Sequence, residues 1–120
     1  MFNVNPETKT ITMHRGDTGE VTIRVSGYTY GEDDRALFCV KDQNGGEVIK
    51  RVYEMTDNAF VVEFANADTD YLSPGSYKWD VRYVVDPQYD PVSGEIIDGD
   101  GVGTPGSPFQ LIILSTVGQI

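Results

Sequence analysis

The stretch "LSPGSYKWDVRYVV", residues 72–85, carries a large apolar side chain at every second position from Tyr77 onward. Tyr77, Trp79, Val81, Tyr83 and Val85 fall on one side of an extended chain, and Ser76, Lys78, Asp80 and Arg82 on the other. Side chains of a strand alternate between two faces, so this spacing predicts a β-strand with one face buried. Burying that face is worth several kcal/mol at about 25 cal/mol per Å² of apolar area. The stretch therefore reads as part of a wall, not as a place of reaction. Pro74 and Gly75 supply a tight turn into the strand, Leu72 is placed to plug the end of the core, and Tyr77 is placed to hydrogen-bond back to that turn, as corner tyrosines do in β-sandwiches. A row of rings stacking a sugar or a base would need the same side chains in water.

Working outward, the same alternation recurs. Val21, Ile23 and Val25 oppose Glu20, Thr22 and Arg24, while Phe60, Val62 and Phe64 share one face of "AFVVEF". Ile11 and Met13 repeat the pattern weakly, and "FQLIIL", residues 109–114, reads as a last strand. In "RALFCVKD" both faces are apolar, which suits a central strand. "QNGGE" separates this segment from Glu47–Tyr53; Asn44, Gly45 and Gly46 adopt positive φ cheaply, so the two segments are expected to form a hairpin. No window has helical spacing with caps, and at most one helical turn is expected, near residues 67–72. About seven short strands punctuated by turns predict an all-β chain folded as an antiparallel β-sandwich.

With 120 residues, one domain spanning residues 1–120 is expected. The net charge of −10 repels nucleic acid and anionic membrane alike, and no apolar run is long enough to span a bilayer. "MFNVNPETKTITMHRGD" lacks the basic start, apolar segment and cleavage site of a secretory signal, so the chain is expected to remain in the cytoplasm of the cell that makes it. Cys39 is the single cysteine, which excludes an internal disulfide. Its setting, "ALFCV", reads as a small buried hydrophobe rather than a nucleophile.

Reactive constellations are missing. His14 is the single histidine, so no pair of imidazoles is present to hold zinc; a Ser-His-Asp or Cys-His arrangement would have to use His14, which reads instead as an exposed turn residue beside "RGDTG". There is neither a Walker-type "GxxxxGK" segment nor a strand-linked "GxGxxG" opening a helix. "RGD", residues 15–17, has the letters of an adhesion tripeptide but the composition of an ordinary turn.

Residues 86–108, "DPQYDPVSGEIIDGDGVGTPGSP", form an unusually long connection for a compact domain. They contain Asp86, Asp90, Glu95, Asp98 and Asp100 and no Lys or Arg. Asp98 and Asp100 resemble the start of a calcium loop, but Val102 and Phe109 stand where further ligands would be required. The segment is read instead as a long acidic β-arm before the last strand, with its tip around Ser93 and Gly94. Catalytic, cofactor-binding and metal-binding residues are expected to be none, and an acidic arm suits a basic patch on a neighbouring subunit.

Four segments, "MHRGDTGEVTIRV" (13–25), "ALFCVKD" (36–42), "AFVVEFANADTDYLSPGSYKWDVRYV" (59–84) and "PFQLIIL" (108–114), follow one another in an order that resembles small immunoglobulin-like β-sandwich proteins of phage and prophage tail regions, including N-terminal domains of upper baseplate proteins. The resemblance implies an immunoglobulin-like sandwich and a non-enzymatic virion part that assembles with other tail or baseplate subunits, or with copies of itself, and uses no cofactor. An alternative on the same fold is a carbohydrate-recognition or cell-surface adhesion module using exposed tyrosines such as Tyr28, Tyr30 and Tyr89. A small hydrolase would have to rely on His14 or Cys39.

Overall fold

The computed structural model describes residues 2–25, 29–103 and 108–115; for residues 97, 98 and 100–103 it describes the backbone alone. Nine strands occur among these residues: β1 (Phe2–Val4), β2 (Ile11–His14), β3 (Gly19–Arg24), β4 (Arg35–Lys41), β5 (Glu47–Glu54), β6 (Ala59–Phe64), β7 (Gly75–Tyr89), β8 (Ile96–Gly103) and β9 (Phe109–Leu114). A single helical turn, α1 (Asn66–Thr69), lies slightly before the place the sequence suggested. Its start is tied by the Asp68 carboxylate, which accepts the Ala65 N–H at 2.7 Å.

The large sheet runs β1-β2-β9-β7-β4-β5, with β8 added on β7, and the small sheet pairs β3 with β6. All-β architecture is thus as expected, but the pairing is not purely antiparallel. β2 runs parallel to β9, with Ile11 opposite Leu111 and His14 opposite Leu114. No hairpin links these strands, so nothing forces them into opposite directions; the rest of the chain serves as the crossover that a parallel pair needs.

The alternating residues fill one continuous core between the sheets. Ile11, Met13, Phe38, Val40, Val62 and Leu111 are fully buried, and Phe60, Phe64, Trp79, Val81 and Tyr83 join them. Phe38 contacts both layers, lying 5.7 Å from Trp79 and edge-on to Phe64 at 6.1 Å between ring centroids. Such ring pairs add about 0.5–1.5 kcal/mol beyond area burial. β4 and β5 form the expected hairpin, and β4 lies between β5 and β7. Leu72 is buried at 5% exposure, in line with a plug, and the Tyr77 hydroxyl donates to the Ser73 carbonyl at 2.6 Å.

Three local expectations are corrected. The alternation of β7 breaks at Val84, which is buried at 5% exposure, whereas Val85 is only half-buried. Cys39 is half-buried on the outward side of β4 rather than in the core. The strand count exceeds seven because β1 has only three residues and because the glycine-rich return of the long connection pairs as β8.

That return explains Val84. β7 continues past the sheet to Tyr89, and its register with β8 slips between Val85 and Gln88 and again before Tyr89. Asp86 adopts φ +50° at the slip. Its N–H donates to the buried Asp34 carboxylate at 3.2 Å, and the other oxygen of Asp34 accepts the Gly31 N–H at 2.8 Å. Gly99 then passes so close that an added Cβ would sit 2.6 Å from the Val84 side chain. The backbone of β8 therefore covers Val84, and glycine is required for the approach.

Candidate interaction surface

The residues with reactive chemistry do not converge. His14 closes β2 and Cys39 lies on β4, with β9 and β7 between the two strands. The Asp17 carboxylate accepts the His14 backbone N–H at 2.9 Å and lies 3.7 Å from its Nδ1. Burial, followed by the neighbouring Glu47 carboxylate 3.6 Å from its Sγ, pushes the Cys39 thiol up and keeps it protonated. A protonated thiol is a poor nucleophile.

"RGD" forms a turn braced from both sides. Gly16, at φ +83°, donates its N–H to Thr69 Oγ1 at 2.9 Å, and Asn66 Nδ2 donates to the Gly16 carbonyl at 2.6 Å. The Arg15 N–H donates to the Leu114 carbonyl at 3.0 Å. The tripeptide joins α1 to the last strand.

The tyrosines considered for sugar stacking separate. Tyr28 lies outside the described residues. Tyr30 stacks on buried Tyr83 at 5.1 Å, whereas Tyr89 is 44% exposed on the β7–β8 hairpin. The side chains of Asp98 and Asp100, considered for calcium, also lie outside what is described. Among the described residues no group of three or more His, Cys, Asp or Glu is arranged to hold a metal ion, and no helix is long and apolar enough to cross a membrane.

What the fold does bring together is an apolar surface on the outward side of the large sheet. Leu37 of β4 and Val52 of β5 are register partners, and the β7–β8 hairpin overhangs them. Between the two lies a recess of about 290 Å³ lined by Leu37, Lys50, Val52, Tyr89, Glu95 and Ile96. Five large hydrophobic residues are exposed among the described residues. Two of them, Val52 and Tyr89, line this recess, and a third, Val92, stands on the turn of the same hairpin at 95% exposure. Clustered exposed apolar side chains mark contact sites more often than scattered ones.

The charges of this side run against the chain as a whole. Lys41 lies opposite Lys78, Cys39 separates Lys50 from Asp80, and Leu37 separates Val52 from Arg82. Five of the nine Lys and Arg residues, Arg35, Lys41, Lys50, Lys78 and Arg82, thus share one side with the acids Glu47, Glu54 and Asp80, in a protein with net charge −10. The hairpin beside them carries Asp86, Asp90 and Glu95 without a basic residue. Sequence reading identified the acidic segment but not its apolar counterpart. The available signal was β5, "EVIKRVYE", where Val48 and Val52 share a face with Lys50 while Arg51 falls between Ile49 and Tyr53 on the other.

Arg51 does point inward, as charged residues of edge strands can. Its guanidinium donates to the Glu63 carbonyl and pairs with the Asp68 carboxylate, closing one side of the two layers. Compared with models of protein families, with curated proteins and with solved structures, the chain matches none.

Proposed function

We propose that this chain is a non-enzymatic structural or assembly protein of a phage or prophage tail or baseplate, acting through protein-protein contacts. The observation that carries the contact reading is the clustering of Val52, Tyr89 and Val92 around one recess on the outward side of the large sheet. An immunoglobulin-like arrangement is the finer fold reading. The Tyr77 to Ser73 hydrogen bond at the start of a central strand supports it, as does a buried Trp79 packed between Phe38 and Phe109. Assignment to a tail or baseplate rests on the order of sequence segments that resembles such proteins.

Co-purification with the products of neighbouring genes tests this function, read by size-exclusion chromatography with light scattering. A stable complex with a tail or baseplate subunit, weakened by Val52→Glu, supports it; no complex with any of them refutes it. The carbohydrate alternative is favoured by the open ring of Tyr89 beside the recess. Saturable glycan binding lost on Tyr89→Ala would replace the assembly reading.

A further inference from the structure

We infer that the recess under the β7–β8 hairpin takes a second copy of this chain, with Val92 of each copy seated in the recess of the other. The inference deepens the protein-contact reading above and names its partner.

Val92 is the projecting part. It is 95% exposed, and its position is fixed: the Asp90 carboxylate accepts the N–H groups of Val92 at 2.8 Å and Ser93 at 3.2 Å, while the Gly94 N–H donates to the Asp90 carbonyl at 2.8 Å. A projection held in one conformation loses little entropy on docking. The recess is the receiving part, with Leu37 and Val52 below and Tyr89 and Ile96 beside them. Projection and recess belong to one hairpin, separated by a few residues. A two-fold contact requires that if residue i touches residue j, then j touches i. A two-fold contact that makes one of these insertions therefore makes both.

Charge selects the same orientation. Two copies of net charge −10 repel each other in most approaches. Repulsion is least where the side bearing Lys41, Lys50, Lys78 and Arg82 meets the partner's acidic hairpin. Lys50 lines the recess and Glu95 lies three residues after the Val92 that enters it, so the two-fold contact brings Lys50 of each copy towards Glu95 of the other.

Sedimentation of the full chain over a wide concentration range provides the test. A monomer–dimer equilibrium is expected, weakened by added salt because the flanking charge pairs are screened. Val92→Asp is expected to weaken dimerisation by about a hundredfold, since every change occurs twice in a two-fold contact. Lys50→Glu and Glu95→Lys are each expected to weaken it, and the double variant to recover most of the loss. The 95% exposure of Val92 means the variant should keep the parent's unfolding midpoint, which separates lost contact from lost fold. A monomer at all concentrations up to about 1 mM, a dimer indifferent to Val92→Asp, or a double variant no better than the single ones overturns the inference. If self-association is absent while a tail subunit still binds, this inference alone fails and the proposed function stands.

Discussion

Tyr77 reaches back four residues to donate its hydroxyl hydrogen to the Ser73 carbonyl, 2.6 Å away, while its ring stays 8% exposed in the core. One side chain thus fixes both the first turn of β7 and the depth at which that strand sits. Burial, reinforced by the nearby Asp42 carboxylate, raises the phenol above its ordinary value and keeps the donor protonated. Tyr77→Phe retains the ring and removes only the hydrogen bond. It is expected to cost about 1 kcal/mol in urea unfolding with an unchanged m-value.

The pair of Arg51 and Asp68 gives a pH dependence of definite sign. Burial alone would raise the Asp68 pKa, but hydrogen bonds from Arg51 and the Ala65 N–H, with the Arg51 charge, outweigh it and hold the carboxyl below its ordinary 3.8. Because the folded value is depressed, the stabilisation is fully present above the unfolded value, about 3.9. It is lost as pH falls through the lower folded value. Asp68→Asn is therefore expected to be less stable than the parent near pH 6, and the gap to narrow as pH falls below the unfolded value of about 3.9.

Gly99 holds the hairpin against the sheet. It adopts φ +145°, and a Cβ there would lie 2.6 Å from Val84, 3.2 Å from the Pro87 Cα and 3.2 Å from the Val85 carbonyl. Gly99→Ala is expected to lift β8 from β7 and open Val84 to solvent. Limited proteolysis should then cut faster at residues 90–96, whereas amide exchange of Phe38 and Val81 in the core should change little.

Asp34 is the brace on the opposite side of that bend. Its two carboxylate oxygens accept the Gly31 and Asp86 N–H groups, and the residue is 7% exposed. Asp34→Ala strands both donors at a position where β7 leaves the sheet. A loss of about 1–3 kcal/mol is expected in thermal or urea unfolding. Asp86→Gly, which accepts φ +50° without a Cβ, should be close to neutral.

The walls of the molecule were legible from spacing, and its attachments were not. Tyr77, Trp79, Val81 and Tyr83 announce themselves because a period of two can be satisfied only by one buried face. Val84 breaks that period because its cover comes from Gly99, a contact between residues with no shared pattern. Likewise, a glycine weakens a strand, yet Gly99 sits in β8 because its approach to Val84 leaves no room for a Cβ. The recess depends on how far the hairpin bends over Leu37 and Val52, a quantity set by register slips after Val85. Composition placed acids in this region but could not say which apolar residues they would meet.

The parallel alignment of β2 with β9 makes the order of synthesis matter. Ile11 waits for Leu111 as its neighbour in the sheet, so the edge formed by β1 and β2 has no seat until residues 109–114 have left the ribosome. Contacts of such long sequence separation slow folding. Until then Ile11 and Met13 remain uncovered on the nascent chain, dependent on transient chaperone shelter or on rapid completion of translation.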